Sequence, residues 1–146
     1  MRIRTDGASR GNPGPAAIGV VVEGQDGSVL AEVSLCIGRT TNNVAEYRAL
    51  IAGLDRALEL GATAVTVVTD SELMMRQVRG IYAVKSPALA PLLQQVRGLQ
   101  RRFQDGFTIE HTPRGGNARA DALANRALDA AARGGNTAAR SGGLTP

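Results

Sequence analysis

The hydrophobic pattern changes period several times along the chain, and each change predicts an element. The opening "RIRTD" reads as a strand, and "AIGVVVEG" and "VLAEVSLCIG" are two further β-branched runs. Between those two, the Asp26-Gly27 dipeptide predicts a hairpin turn. From Val44 to Leu60 the apolar positions Tyr47, Leu50, Ile51, Leu54 and Leu58 recur at helical spacing, and Gly61 supplies a stop. "AVTVVTD" predicts a fourth, buried strand and "SELMMRQVRG" a short helix. "PALAPLLQQVRGLQRRF" predicts a longer helix, with Pro87 near its start and Pro91 as a candidate bend. "GFTIEHT" predicts a fifth strand. A last helix, from about Asn117 to Arg133, carries Ala120, Leu123, Ala124, Ala127, Leu128 and Ala131 on one face. Residues 1–133 are therefore expected to form one domain. Residues 134–146, "GGNTAARSGGLTP" from Gly134 on, lack bulky apolar side chains and are expected to be a flexible tail or a truncated linker.

The element order β-β-β-α-β-α-α-β-α predicts an α/β fold: an antiparallel meander followed by parallel additions. A right-handed crossover through the first helix would return the fourth strand beside the first. The sheet then reverses its direction of growth between those two strands, and open α/β sheets bind ligands at such a switch point, beyond the strands' carboxyl ends. Asp6 is expected to end the first strand and Asp70 the fourth, so the two carboxylates should converge.

Composition narrows the chemistry. The single cysteine, Cys36, excludes an internal disulfide and a cysteine-based zinc site. No apolar run is long enough to span a membrane, and the N-terminus lacks a signal-peptide core, so a cytoplasmic location is expected. The net charge of +4, carried by arginine with Lys85 as the only lysine, is compatible with a polyanionic partner. Few aromatics and no Trp argue against a base-stacking platform.

Four acids need explaining, and each has a structural explanation of its own. Asp6 opens the turn-rich stretch "TDGASRGNPGPAAIG". Glu46 stands three residues after Asn43, the spacing of a capping box. Asp70 lies between a strand and a helix, at an N-cap position. Asp121 lies in the first turn of the last helix, where the macrodipole favours an anion. Together these explanations weaken. Glu46 and Asp121 sit at the margins of apolar stripes, beside Leu50 and Leu128, at helix ends that meet the strand carboxyl ends. Four carboxylates gather while ionised only around a cation. Oxygen ligands with no sulfur and scarcely any imidazole point to Mg²⁺ or Mn²⁺.

The motifs "TDGASRGNPGPAAIG", "RTTNNVAEYRAL", "TDSELMMRQV" and "NARADALAN" resemble, in order and spacing, the acidic motifs of type 1 ribonuclease H, over essentially residues 1–133. The resemblance implies the ribonuclease H-like fold, a five-stranded mixed sheet of order 3-2-1-4-5 flanked by helices. It implies an endonuclease that hydrolyses the RNA strand of RNA–DNA hybrids, leaving 3′-hydroxyl and 5′-phosphate ends. Asp6, Glu46, Asp70 and Asp121 would be its catalytic, metal-binding acids and would hold two ions. Asp6 would bridge them, Glu46 and Asp70 would hold the nucleophile-side ion, and Asp121 the other. Gly7, Ser9, Gly11 and Asn12 would meet the minor groove of the hybrid, with glycine admitting a close backbone approach. Asn42 and Asn43 match positions that read the two strands, although one of them could instead cap the helix. Arg39 and Thr41 match a pocket that grips a DNA-strand phosphate, and Ser71 follows the third acid. His111 matches a loop histidine that assists proton transfer or product release, unless it belongs to the fifth strand; Arg114 and Arg119 are alternative loop contacts. The implied protein is a monomer with no small-molecule cofactor and no membrane association.

Two departures stand out. Glu72 replaces the glutamine common in the family. The segment "GIYAVKSPALAP" is too short for the basic handle of many bacterial members, so Arg76, Arg79, Arg101 and Arg102 are candidate substitutes for hybrid contact. The rival reading is a non-catalytic module of the same fold that binds hybrids or duplexes. Loss of one acid would favour it, and all four are present.

Overall fold

A computed structural model of the chain describes residues 1–134. Its elements are β1 (Arg2–Ser9), β2 (Gly14–Glu23), β3 (Val29–Thr40), α1 (Asn42–Glu59), β4 (Ala64–Thr69), α2 (Glu72–Val78), α3 (Ala90–Gln100), β5 (Gly106–His111) and α4 (Ala118–Gly134), with a 3-10 turn at Arg114–Asn117. One five-stranded sheet has the order β3-β2-β1-β4-β5. The pairs β1–β2 and β2–β3 are antiparallel, and β4 joins β1 and β5 in parallel. This is the expected topology. The flexible tail or truncated linker expected for residues 134–146 lies, from residue 135 on, outside the described residues.

Helices cover both faces of the sheet. Alternation along β1 turns Ile3, Thr5 and Gly7 toward α1, and Arg4, Asp6 and Ala8 toward α4. On the α1 side, Ile3, Val20, Val22, Leu50, Leu54, Val67, Met74, Val96 and Ile109 form the main core. A smaller cluster, Ala17, Ala127 and Leu128, lies under α4 with Ala8 and Cys36 at its margin. Tyr47 is fully buried in the main core, where its hydroxyl donates to Gln77 Oε1 at 2.7 Å. Among the described residues no helix is long and apolar enough to cross a membrane.

Three boundaries differ from expectation. β1 does not end at Asp6: its antiparallel ladder with β2 continues to the Ser9–Ala16 pair, while its parallel ladder with β4 stops at Thr5–Thr69. Asp6 is thus the first residue of β1 beyond the reach of β4. Helix α3 begins at Ala90, so Pro87 lies outside it. Pro91 falls in its first turn, where the missing N–H is not needed and no bend results. Finally, α1 is capped by neither asparagine. Thr41 is its N-cap, and Thr41 Oγ1 accepts from the Val44 N–H at 3.2 Å.

Candidate active site

The switch point between β1 and β4 holds a compact acidic group. Carboxylate oxygens of Asp6, Glu46 and Asp70 all lie within 4.8 Å of one another. Asp6 and Glu46 are nearly withdrawn from solvent, at 5% and 6% exposure, and Asp70 is partly exposed. Each arrives from a different element. Asp6 stands on β1 where β4 has ended, Asp70 follows the last residue of β4, and Glu46 occupies the first turns of α1.

Glu46 does not close a capping box. Its Oε1 accepts the Gly7 N–H at 3.0 Å, which fixes the carboxylate against β1. That contact requires Gly7 to be glycine, because a Cβ there would collide with the Ala45 carbonyl group and the Glu46 nitrogen. Gly7 therefore serves the approach of α1 to β1, a packing reason distinct from the expected approach of a ribose. Gly11, by contrast, has φ of +95°, a backbone state that suits glycine in the turn after β1. Asp70 is not the cap of α2 either. Ser71 is, and its Oγ accepts from the Met74 N–H at 3.2 Å. Two acids are thus released from the structural roles they could have held.

Asp121 lies in the first turn of α4, as expected, and is half-buried. It is not one of the three clustered acids, but its helix is docked beside them. Gly19 pairs directly with Asp6 across β1–β2 and faces the same side of the sheet. A Cβ at Gly19 would strike the Ala120 carbonyl oxygen, so the backbone preceding Asp121 rests on the strand opposite Asp6. A glycine inside the run "AAIGVVV" was the available sequence signal for this close approach.

The expected substrate-facing residues fall into two groups. Asn12, Asn42 and Ser9 form one network, in which Asn12 Oδ1 accepts the Asn42 N–H at 3.0 Å and Asn42 Oδ1 accepts the Ser9 N–H at 3.3 Å. This joins the turn after β1 to the start of α1, beside the acids. Asn43 is exposed in the same turn of α1, and Arg39 is exposed near the end of β3. Thr41 and Ser71 have their hydroxyls engaged as helix caps. His111 is the last residue of β5 and pairs in register with Thr69, so it belongs to the strand and stands at the same sheet end as Asp70. Its charge helps hold the Glu72 carboxyl below the ordinary range, after the larger effects of the Arg76 hydrogen bond and charge.

Two of the arginines that are candidates for hybrid contact, Arg76 and Arg79, make bonds within the chain. Arg76 donates to Glu72 Oε2 at 2.8 and 3.0 Å and lies over the Tyr82 ring, 5.6 Å from its centre. Arg79 donates twice to the Ile109 carbonyl, at 3.1 and 2.6 Å. Arg101 and Arg102 follow α3 where the chain enters β5, and Asp105 N–H there bonds the Thr63 carbonyl at 2.8 Å. That is the far end of the parallel strands from the acids. Arg119 pairs with Glu32 at 2.6 Å.

Buried, adjacent carboxylates with like charge are favourable together only when a cation or protons neutralise them. The group contains oxygen donors alone, which fits a hard divalent cation such as Mg²⁺ or Mn²⁺.

Comparison with known proteins agrees with this geometry. A family model described as reverse transcriptase-like matches residues 4–127. The chain is 48% identical over 124 residues to ribonuclease HI of Halobacterium salinarum, covering 85% of this chain and 62% of that protein. It is 53% identical over 132 residues to a bifunctional protein of Mycobacterium tuberculosis, covering 90% of this chain but only 36% of the relative. A crystal structure of a compost-derived RNase H1 (LC11) in complex with RNA/DNA hybrid superposes with TM-score 0.85 at 44% identity, covering 90% of this chain and 98% of that one.

Proposed function

The chain belongs to the type 1 ribonuclease H family, and from that premise we propose that it hydrolyses the RNA strand of RNA–DNA hybrids, leaving 3′-hydroxyl and 5′-phosphate ends. The observation that carries the proposal is the buried convergence of Asp6, Glu46 and Asp70 at the switch point of the sheet. A hybrid-binding module without catalysis would have no use for three carboxylates held within 4.8 Å of one another.

Asp6, Glu46, Asp70 and Asp121 would hold two divalent ions, Mg²⁺ or Mn²⁺. When bound, such ions activate water as a nucleophile and offset charge on the attacking and leaving oxygens. The chain's own contribution is orientation. The Gly7 N–H fixes one oxygen of Glu46, leaving the carboxylate little freedom to turn away. Burial of Asp6 and Glu46 excludes competing water and strengthens their electrostatic action. His111, exposed at the end of β5 beside β4, would carry a proton to or from the site mouth. Ser9, Gly11, Asn12, Asn42 and Asn43 would form the rim that the minor groove meets, with Gly7 buried behind it against α1. Amides there suit recognition of 2′-hydroxyls, the groups that separate RNA from DNA. Arg39 extends the rim toward a DNA-strand phosphate.

Incubation with RNA–DNA hybrid, duplex DNA and duplex RNA, in Mg²⁺, Mn²⁺ or EDTA, tests this directly. Only the hybrid should be cut, only on its RNA strand, and neither EDTA nor Asp70→Asn should leave activity. Tight hybrid binding without cleavage in either metal would replace the enzyme by a binding module. Cleavage that survives EDTA would overturn the metal-dependent mechanism.

A further inference from the structure

Asn117 is 0% exposed, an unusual place for an amide. Its Nδ2 donates to the Thr5 carbonyl at 2.6 Å, while its Oδ1 is buried without a hydrogen-bond partner among the described residues. An amide with half its hydrogen-bonding capacity unmet is a poor choice for stability alone, since an apolar side chain of similar volume would avoid the penalty. What the amide does is join two places that matter to the site. Thr5 immediately precedes Asp6. Asn117 ends the 3-10 turn and precedes Asp121 by four residues, one helical turn, so both project from the same side of the chain as α4 begins.

The surrounding contacts have the same sense. Thr112 N–H bonds the Thr69 carbonyl at 2.8 Å, next to Asp70. The Arg4 guanidinium donates to the Gly116 carbonyl at 3.2 Å. The Ala120 carbonyl rests on Gly19, the partner of Asp6. The segment from Thr112 to Ala120 is thus pinned beside Asp70, before Asp6 and opposite Asp6, and Asn117 supplies a fully buried side-chain bond to β1. Asp121 is the next residue along.

We infer that Asn117 is a positioning residue that sets Asp121 against Asp6, and so governs the fourth acid while leaving the cluster of Asp6, Glu46 and Asp70 in place. The inference rests on the proposed role of Asp121 in metal-dependent cleavage.

The test is a double-mutant cycle on the full chain. Asn117→Ser removes the donor's reach, and Asn117→Asp keeps the size but replaces the donor with an acceptor. Each should lower kcat on a saturating hybrid by roughly 10- to 100-fold, the scale expected of a misplaced catalytic group, with KM changed by less than about threefold. Adding Asp121→Asn to either should cost little beyond Asp121→Asn alone, because both act through one carboxylate. Independently of turnover, the rise in Tm on adding Mn²⁺ should be smaller in both variants than in the wild type. A variant with lowered Tm but wild-type kcat, or additive effects in the cycle, would make the bond merely structural and overturn the inference. Failure of both variants to fold would do the same, by making the amide a general stabiliser. A wild-type protein that leaves the hybrid uncut would refute the proposed function instead, since the cycle would then have no activity to partition.

Discussion

Replacing Gly7 by alanine places a methyl group inside the space now held by the backbone of α1. The new Cβ would overlap the Ala45 carbon and oxygen and the Glu46 nitrogen, all of them main-chain atoms that no rotamer change can move aside. Ordinary carbon contacts begin near ~3.5 Å, so the first turn of α1 must withdraw from β1 by roughly 1 Å. Overpacking of this kind typically costs about 1–3 kcal/mol. In a domain of this size that corresponds to a Tm lower by about 3–12 °C. The same displacement lengthens the Gly7 N–H bond to Glu46, now 3.0 Å, and shifts Glu46 away from Asp6 and Asp70. A misplacement of ~1 Å at a catalytic group can cost on the order of 100-fold in rate. Steady-state cleavage of a labelled hybrid, with thermal unfolding in parallel, should therefore give a kcat lower by about two orders of magnitude, with KM changed only a few-fold, because the methyl group faces α1 and leaves the rim untouched. A Gly7→Ala protein that keeps kcat within threefold of wild type would refute the account of how Glu46 is held. A selective rise in KM with kcat intact would show that Gly7 is glycine for the substrate's sake.

Two further predictions concern stability. Burial pushes the Tyr47 hydroxyl up to about 12, above its ordinary value of 10.0, so the fold prefers the neutral phenol and the unfolded chain releases the proton first. The stabilisation is complete below about pH 10 and declines by ~1.4 kcal/mol per pH unit from there toward pH 12. In urea unfolding, the advantage of wild type over Tyr47→Phe should shrink between pH 9 and pH 11; an advantage that stays constant contradicts the assignment. Thr41→Ala removes the cap of α1 and should cost ~1 kcal/mol in the absence of any nucleic acid, whereas Asn43→Ala, at an exposed position outside the cap, should leave the unfolding midpoint within error. Equal losses from both would mean that the helix start is capped differently.

Strands, helices and sheet order were readable because period and turn chemistry agree along most of the chain, as in the β-branched runs around Val20 and Val67 and the Asp26-Gly27 hairpin. The acids were readable only together, since Asp6, Glu46 and Asp70 each had a sound local explanation. The fold gives the caps to Thr41 and Ser71, hydroxyls one residue or a few away from Asp70 and Glu46, and so takes the local explanation from those two acids. Such a choice between neighbouring cap-formers depends on where the helix meets the sheet, which local pattern does not encode. β1 runs past the expected end at Asp6 for a related reason. The stretch after Asp6 is rich in turn residues, yet β2 continues to pair with it through Ser9, and pairing overrides propensity. Asn117 opens the motif "NARADALAN", yet its bonding role has no local signal, because its partner lies at Thr5, at the other end of the chain.

The early end of the β1–β4 ladder at Thr5–Thr69 has a kinetic consequence. The acidic cluster exists only when residues near the start of the chain are joined in parallel to a strand made much later, with the α1 crossover complete between them. Pairing of that kind is a late, slow event in folding, since it must follow closure of a long loop. A nascent or partly folded chain can carry β1, β2 and β3 as a finished hairpin array and still lack any place where three carboxylates meet. Assembly of the acidic cluster is thus tied to the β1–β4 pairing and not to any single hairpin.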